Sequence, residues 1–417
     1  MNKEINYRLI PRLRFPEFLQ EAEWIEDTLI NIAGFRRGSF PQPYGLPEWY
    51  DDINGMPFIQ VYDVGEDFRL KPQTKNKISK LGAEQSVFIP KGTVIITIQG
   101  SIGRVAITQY DAYIDRTLLL FEEFYIELDK TFFSYLLFLL FEIEKLKAPG
   151  GIIKTITKEV LSQFVVKLPS SKEQQKIAAC LSSLDGVITT ERQKLEILKD
   201  HKKGLLQNLL PQEGETVPKF RFSDFEESAE WEETTLSQIA DYENGKAHEQ
   251  DIDVDGDFIV VNSKFISQDG DVKKFTNTAF CPATKGDVLM VLSDIPNGKA
   301  IAKCFLVEED NRYTVNQRIC RITPRNLNSK ILYYLLNRNP YFLAFDDGVK
   351  QTNLRKEDVL NCPLLISSDS KEQEKIAGTL SSIDELINAQ SQKVEALKLH
   401  KKGLLQGLFP DVNTVSE

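Results

Sequence analysis

The chain has 417 residues, 41% hydrophobic and 27% charged, enough for two to four domains with real cores. Its 25 Phe and 13 Tyr exclude low-complexity disorder, and its longest apolar run, Phe132 to Phe141, is half of the ~20 residues a membrane-spanning helix needs. A net charge of −10 weighs against a surface built for phosphate, while five Cys and three His without CxxC or HxxxH spacing argue against zinc fingers and disulfide scaffolds.

In chain order, residues 1–29 form a frame segment. MNKEINYRLI shows no apolar leader and the scattered cysteines fit a reducing compartment, so a cytoplasmic chain without membrane contact is expected. Ile10 to Phe18 reads IPRLRFPEF, followed by Glu23-Trp24 and Thr28-Leu29. Residues 30–168 read as a first domain, with the marks Phe58-Ile59-Gln60-Val61 and Lys91-Gly92-Thr93-Val94. A leucine-rich helix follows from Ser134 to Lys147, then a glycine turn at Gly150-Gly151. Residues 169–211 read as one long helix with Ser170-Ser171 as N-cap and Pro211 as its end. Its apolar seam, Ile177, Leu181, Leu184, Ile188, Leu195, Leu198, Leu205 and Leu209, steps by threes and fours with polar gaps at Glu191 and Lys202.

The same layout then recurs. Residues 212–236 are a linker and frame segment, with VPKFRFSDF at 217–225, then Glu230-Trp231 and Thr235-Leu236. Residues 237–365 read as a second domain, with Phe258-Ile259-Val260-Val261, Lys285-Gly286-Asp287-Val288, a helix Lys330 to Leu336 and a turn at Gly348. Residues 366–411 read as the second helix, capped at Ser370. Its seam is Ile376, Leu380, Ile383, Ile387, Val394, Leu397, Leu404 and Leu408, with gaps at Gln390 and Lys401; residues 412–417 are a tail. Segments 171–211 and 370–410 are identical at 26 of 41 positions without gaps, so the chain is a duplication. The domains between the repeated segments match only in outline, so they do different jobs in one frame.

Two matching seams predict that the helices pack on each other as an antiparallel coiled coil about a pseudo-twofold axis. Each would span ~57 Å at ~1.5 Å per residue. The alternative is that each helix packs only on its own domain. His201-Lys202-Lys203-Gly204 and His400-Lys401-Lys402-Gly403 read either as solvated helix ends or as a docking face. The fold class expected is α+β, two α/β-type domains joined by the helix pair.

No catalytic constellation stands out. Gly245-Lys246 and Gly298-Lys299 are followed by Ala and lack the upstream glycine of a phosphate loop, and there is no GxSxG elbow. Asn339-Pro340-Tyr341-Phe342 is near the Asn-Pro-Pro-Tyr/Phe motif of amino-methyltransferases, but the second proline is missing and a helix terminator explains it. No catalytic or metal-binding residue is expected.

The RFPEF and RFSDF openings, the Trp and Thr-Leu spacing, and SKEQQKIA…LSSLD…HKKGLLQ in both copies resemble the specificity subunit of type I restriction–modification systems. The resemblance covers nearly the whole chain. It implies two target-recognition domains, each reading one half of a split double-stranded DNA site, and two central helices that set the gap. It also implies two methyltransferase subunits and up to two restriction subunits as partners, which would carry S-adenosylmethionine, ATP and magnesium for adenine methylation and cleavage. Unlike domains imply an asymmetric target. A fused DNA adenine methyltransferase, which labelled S-adenosylmethionine would reveal, and a duplicated protein-only adaptor remain as alternatives.

The charge must then be local. The two helix segments carry net +2 and +1, which leaves −13 for the rest. One basic stretch is Arg69, Lys71, Lys75, Lys77 and Lys80, with no acid between Phe68 and Ala83. Arg36-Arg37 with Ser39, Gln42 and Tyr44 forms another. In the second domain Lys264, Lys273, Lys274, Lys299 and Lys350 are the candidates for phosphate contact. Side chains able to read base edges are Arg36, Arg37, Gln42, Gln99 and Arg104, with Ser101 beside them, then Asn262, Asn297, Gln351, Asn353 and Arg355. Each has the solvated loop as its alternative.

Overall fold

The computed structural model describes residues 9–147, 156–212, 214–296 and 298–410. The turn expected at Gly150-Gly151, and Asn297, lie outside the described residues. Two compact units divide the chain, Met1–Lys194 with Gln390–Glu417 and Leu195–Ala389.

Unit 1 runs β1 (Ile25–Thr28), α1 (Leu29–Ile32), β2 (Ala33–Arg37), β3 (Met56–Ile59), β4 (Asn76–Ile78), α2 (Lys80–Ala83), β5 (Val87–Ile89), β6 (Val94–Thr97), β7 (Val105–Ile107), β8 (Ala112–Ile114), β9 (Leu118–Phe124), α3 (Lys130–Lys147), α4 (Lys158–Ser162), β10 (Val165–Leu168) and the start of α5 (Ser171–Leu209). Its two four-stranded sheets have the orders β2-β9-β6-β7 and β4-β3-β8-β5, and β1 pairs with β10. Strand β6 shows why the layers stack. All four of its residues are buried, because both faces are covered. Val94 and Ile96 face α3 with Phe121 and Phe133, while Ile95 packs on the second sheet with Ile59 and Ile114. The apolar run Phe132 to Phe141 is therefore the face of α3 that closes one side of this sheet.

Unit 2 repeats the plan: β11 (Glu232–Thr235), α6 (Leu236–Ile239), β12 (Ala240–Asn244), β13 (Phe258–Val261), α7 (Ser263–Ser267), β14 (Phe275–Thr276), β15 (Pro282–Ala283), β16 (Val288–Val291), β17 (Ser293–Asp294), β18 (Cys304–Leu306), β19 (Tyr313–Val315), β20 (Ile319–Pro324), α8 (Ser329–Leu336), α9 (Pro340–Leu343), β21 (Thr352–Asn353), α10 (Lys356–Leu360), β22 (Pro363–Ile366) and the start of α11 (Ser370–Leu408). The sheets are β12-β20-β16-β18 and β14-β13-β19-β15, with a small added pair β17-β21. In β16, Val288 and Met290 pack towards α8, and Leu289 and Val291 towards the second sheet. Asn339 caps α9 by accepting from Tyr341 N, and Pro340 starts it.

The repeated motifs are a clamp made twice. Arg14 Nε and Nη2 donate to Glu173 at 2.9 and 2.8 Å, and Arg221 does the same to Glu372 at 2.7 and 2.9 Å. The remaining guanidinium N–H groups donate to the carbonyls of Glu21 and Ala22, or of Ser228 and Ala229. Gln174 and Gln373, next in each motif, accept from Asp129 N and Asn328 N and so fix where α3 and α8 begin. RF and SKEQ thus recur because they join the frame to the long helix and to the domain helix.

The long helices pack antiparallel within each unit. In unit 1, Ile177 and Leu181 of α5 share a core with Leu404, Leu405 and Leu408 of α11. In unit 2, Leu205 and Leu209 meet Ile376 and Leu380. No seam residue is exposed: Leu184, Leu195, Leu198, Ile387 and Leu397 are half-buried, and Ile188, Ile383 and Val394 are buried. Off-seam Ile197 and Leu399 stand 67% and 71% exposed. The polar gaps are partners. Glu191 accepts from Gln390 at 2.6 Å and from Lys393 at 2.6 Å. Lys401 meets Asp185 at 2.5 Å, where Tyr135 of α3 also donates; Lys202 meets Asp384, where Tyr334 of α8 donates.

Three expectations need correction. Lys202 and Lys401 are paired in the seam rather than solvated at a helix end; His201, Lys203, His400 and Lys402 are the exposed members. Ser170 caps α5, but Ser370 is the first residue of α11, and Asp369 accepts from Lys371 N and Glu372 N in its place. Phe58 does not match Phe258. Ile59 and Val261 hold the equivalent place, since each accepts from the residue that follows β8 or β19 (Asp115 N, Asn316 N). A two-residue slip keeps a strand's facing unchanged, so the apolar pattern did not betray it. The Lys-Gly match is real: Lys91 N and Lys285 N each donate to an Asp carboxylate, at 2.7 Å, and Gly92 and Gly286 both have positive φ.

Candidate nucleic-acid interface

Four chain segments leave the sheets at one end of unit 1. Gly38 N donates to Leu118 O, Ser39 N to Ile114 O, Asp115 N to Ile59 O and Ile98 N to Thr117 O, all at 3.0 to 3.1 Å. The ends of β2, β3, β6 and β8 therefore meet here. The crossing demands glycine: a Cβ on Gly38 would lie 2.4 Å from the Asp115 carbonyl oxygen. Unit 2 builds the same crossing from Gly245, Lys246, Asn316 and Leu292, with Gly245 equally closed by the Asn316 carbonyl.

A polar and aromatic surface follows from this convergence in unit 1. Tyr62 donates its hydroxyl to the Gln60 amide oxygen, and Asn76 Nδ2 donates to both. Burial pushes the Tyr62 hydroxyl up to about 12. Beneath lies Asp63, fully buried, which accepts from Gln60 N and Lys75 N; burial raises its carboxyl. The Lys75 ammonium sits 5.0 Å from the Tyr62 ring centre. Tyr44, 52% exposed, packs on Phe40 and carries the Arg116 guanidinium 5.3 Å above its ring.

Most of the expected residues of unit 1 gather around this end. Arg36 is exposed and pairs with Glu122 at 2.6 Å; Arg37, Gln42, Arg69 and Lys71 are exposed. Gln99 is half-buried and Ser101 exposed in the turn after β6, where Gly100 faces Val61. Arg104 donates to the Val64 carbonyl and to Glu66 along a cleft of about 590 Å³ that also holds Phe68, Phe138 and Lys145. Lys77 follows Asn76 in β4, beside Pro57, but Lys80 does not join them. Strand β4 runs from Asn76 beside Phe58 to Ile78 beside Met56, so Lys80 lies past its far end.

In unit 2 the Lys274 carbonyl bonds Val260 N, which sets Lys273 and Lys274 near the end of β13. The β17-β21 pair joins two loops. Gln351 Nε2 donates to Ser293 Oγ at 2.7 Å and to Asn353, and Asp294 gathers the amides of Ile295, Ala300 and Ile301, holding exposed Lys299 in that turn. Lys350 and Arg355 are exposed on the same stretch. Asn262 spends its amide oxygen capping α7, on which Lys264 is exposed. His248 is buried, held by the Lys246 carbonyl and the Thr314 hydroxyl.

Sequence reasoning passed over Tyr62, Asn76 and Arg116 in unit 1, and Lys246, Gln317 and Arg318 in unit 2. The available signal was a polar triplet between two apolar strands, Asp115-Arg116-Thr117 and Asn316-Gln317-Arg318. Among the described residues no helix is long and apolar enough to cross a membrane.

Comparison with known proteins gives a consistent result. The sequence profile described as "Type I restriction modification DNA specificity domain" matches residues 49–200 and 228–398. The chain is 23% identical over 438 aligned residues to the specificity subunit of the type I restriction enzyme MjaVIII of Methanocaldococcus jannaschii, covering 98% of this chain and 96% of that one. A second specificity subunit of that organism, of MjaIX, is 27% identical over 198 residues, 45% of this chain and 43% of the relative. Among solved structures, the S subunit of a type I restriction–modification system from M. genitalium superposes with a TM-score of 0.62 at 16% identity, over 97% of this chain and all of that one. A chain from a structural study of complex assembly and conformational transition in the type I system superposes at 0.52, also at 16% identity, over 93% and 97%.

Proposed function

The chain belongs to the family of type I restriction–modification DNA specificity subunits, and we propose that its two units read the two unlike halves of one asymmetric, bipartite duplex site. The family is non-catalytic; the chain selects where its complex acts. Two methyltransferase subunits and up to two restriction subunits would assemble on it and supply adenine methylation, ATP-driven cleavage and their S-adenosylmethionine, ATP and magnesium. The antiparallel helices would fix the number of base pairs between the halves.

One observation carries this reading. The same four-segment crossing is built twice, with closely matched backbone hydrogen bonds and unlike side chains: Ser39, Gln60, Gln99 and Arg116 in unit 1, Lys246, Asn262, Ser293 and Gln317 in unit 2. A conserved backbone holding different hydrogen-bonding groups is what two readers of different base sequences require. Lys75, Lys71, Lys273 and Lys299 around them suit phosphate, which positions a protein without specifying sequence.

The test is a map of methylated adenines, by long-read sequencing, in a host carrying this chain with its methyltransferase subunits. The reading predicts one motif of two different halves separated by a fixed run of unspecified bases. A palindromic, contiguous or absent motif would contradict it.

A further inference from the structure

The crossing points to one reading side chain in each unit. We propose that Arg116 and Gln317 each determine one base of their half-site, guanine for unit 1 and adenine for unit 2; this rests on the bipartite reading above. The two residues are structurally equivalent. Asp115 N donates to Ile59 O just as Asn316 N donates to Val261 O, and Ile98 N to Thr117 O just as Leu292 N to Arg318 O. Each thus sits at the centre of a turn pinned on both sides by backbone bonds to a neighbouring strand end.

The turn is also braced from within. Asp115, 1% exposed, accepts from Thr117 N at 2.8 Å and from Thr117 Oγ1 at 2.6 Å, and Asn316 accepts from Gln317 N. The other Asp115 carboxylate oxygen is buried with no hydrogen-bond partner among the described residues. Arg116 itself is exposed and makes no ion pair among the described residues, whereas Arg36 and Arg104 are engaged by Glu122 and Glu66. Its guanidinium lies over the Tyr44 ring at 5.3 Å, a cation–π contact that favours this placement of the planar fork. Gln317, also exposed, is steadied by Glu249, which accepts from its Nε2 at 3.3 Å; the second N–H and the amide oxygen remain available.

Chemistry then separates the two. A guanidinium fork matches the paired acceptors O6 and N7 of guanine, while a carboxamide matches the donor and acceptor of adenine N6 and N7. Both gain from an orientation favoured before binding, to which the Tyr44 ring and the Glu249 hydrogen bond contribute.

The experiment compares methylation maps for the wild-type chain, Arg116→Lys, Arg116→Ala and Gln317→Ala, each co-expressed with the methyltransferase subunits. In the wild type, one half carries an invariant guanine and the other an invariant adenine at the positions concerned. Arg116→Lys keeps the charge over Tyr44 but loses the fork. It should make that guanine degenerate, with roughly 5- to 150-fold less discrimination, and leave the other half untouched. Gln317→Ala should relax a single adenine in the opposite half. A motif unchanged in Arg116→Lys and Gln317→Ala overturns the proposal, as does a uniform fall in methylation with no change of motif, which marks a phosphate contact. If Arg116→Ala does not fold, Arg116→Lys decides alone. If the wild type selects no two-part site, the parent reading fails before the variants are compared, and this inference falls with it.

Discussion

Replacing Glu372 by Ala removes the acceptor of the most enclosed ion pair in unit 2. The side chains of Arg221 and Glu372 are 7% and 0% exposed, joined by two hydrogen bonds of 2.7 and 2.9 Å, and Ser367 Oγ donates to the same carboxylate at 2.5 Å. Truncation leaves the guanidinium buried, facing only the carbonyls of Ser228 and Ala229. Stranding one member of a buried pair costs ~3–5 kcal/mol, a change of roughly 150- to 5000-fold in the folded-to-unfolded ratio. Urea titration followed by circular dichroism should show the midpoint falling with the slope preserved. Arg221→Met with Glu372→Met removes both charges and should cost less than the two single changes summed. A loss below ~1 kcal/mol for Glu372→Ala, the size of a screened surface pair, would refute the buried-clamp argument.

Glu191, whose carboxyl is lowered by its hydrogen bonds to Lys393 and Gln390, stabilises the helix pair above the ordinary carboxylate pKa. That contribution is lost as pH falls through its lowered folded value. The stability difference between the wild type and Glu191→Gln should hold steady above about pH 5 and vanish in acid, as read from denaturation midpoints across pH. Burial pushes the thiols of Cys281, Cys320 and Cys362 up to about 11, 12 and 12, and Cys304 well above its ordinary value; Cys180 is half-buried. An aromatic disulfide reagent at pH 8 should label one thiol fast in the native chain and five after unfolding. Because all but the helix segments is acidic on balance, the chain alone should bind its target DNA weakly, and fluorescence anisotropy should show tight binding only with methyltransferase subunits added; nanomolar specific binding without them contradicts this.

The frame was legible in the sequence because it is written twice. Repetition exposed RF, Trp, SKEQ and the seam with its gaps, yet it could not say that Arg14 reaches Glu173, 159 residues away, or that Lys401 answers Asp185. Partners across such separations are set by the fold, not by local spacing. The candidate interface was less legible for the same reason. Residues 68–83 look like one basic loop, but β4 divides them, leaving Lys75 over Tyr62 and carrying Lys80 away. Arg116 sits in a short polar break between apolar strands, and only the close approach forced by Gly38 shows that it belongs beside Ser39 and Gln99.

The central claim is that each unit independently reads half of one target. Exchanging residues 30–168 for the corresponding domain of a specificity subunit with a different known motif tests it most directly. The account predicts that the methylated motif acquires the donor's half on one side and keeps its own half and gap on the other. A motif that stays the same after the exchange, or changes on both sides, would contradict it.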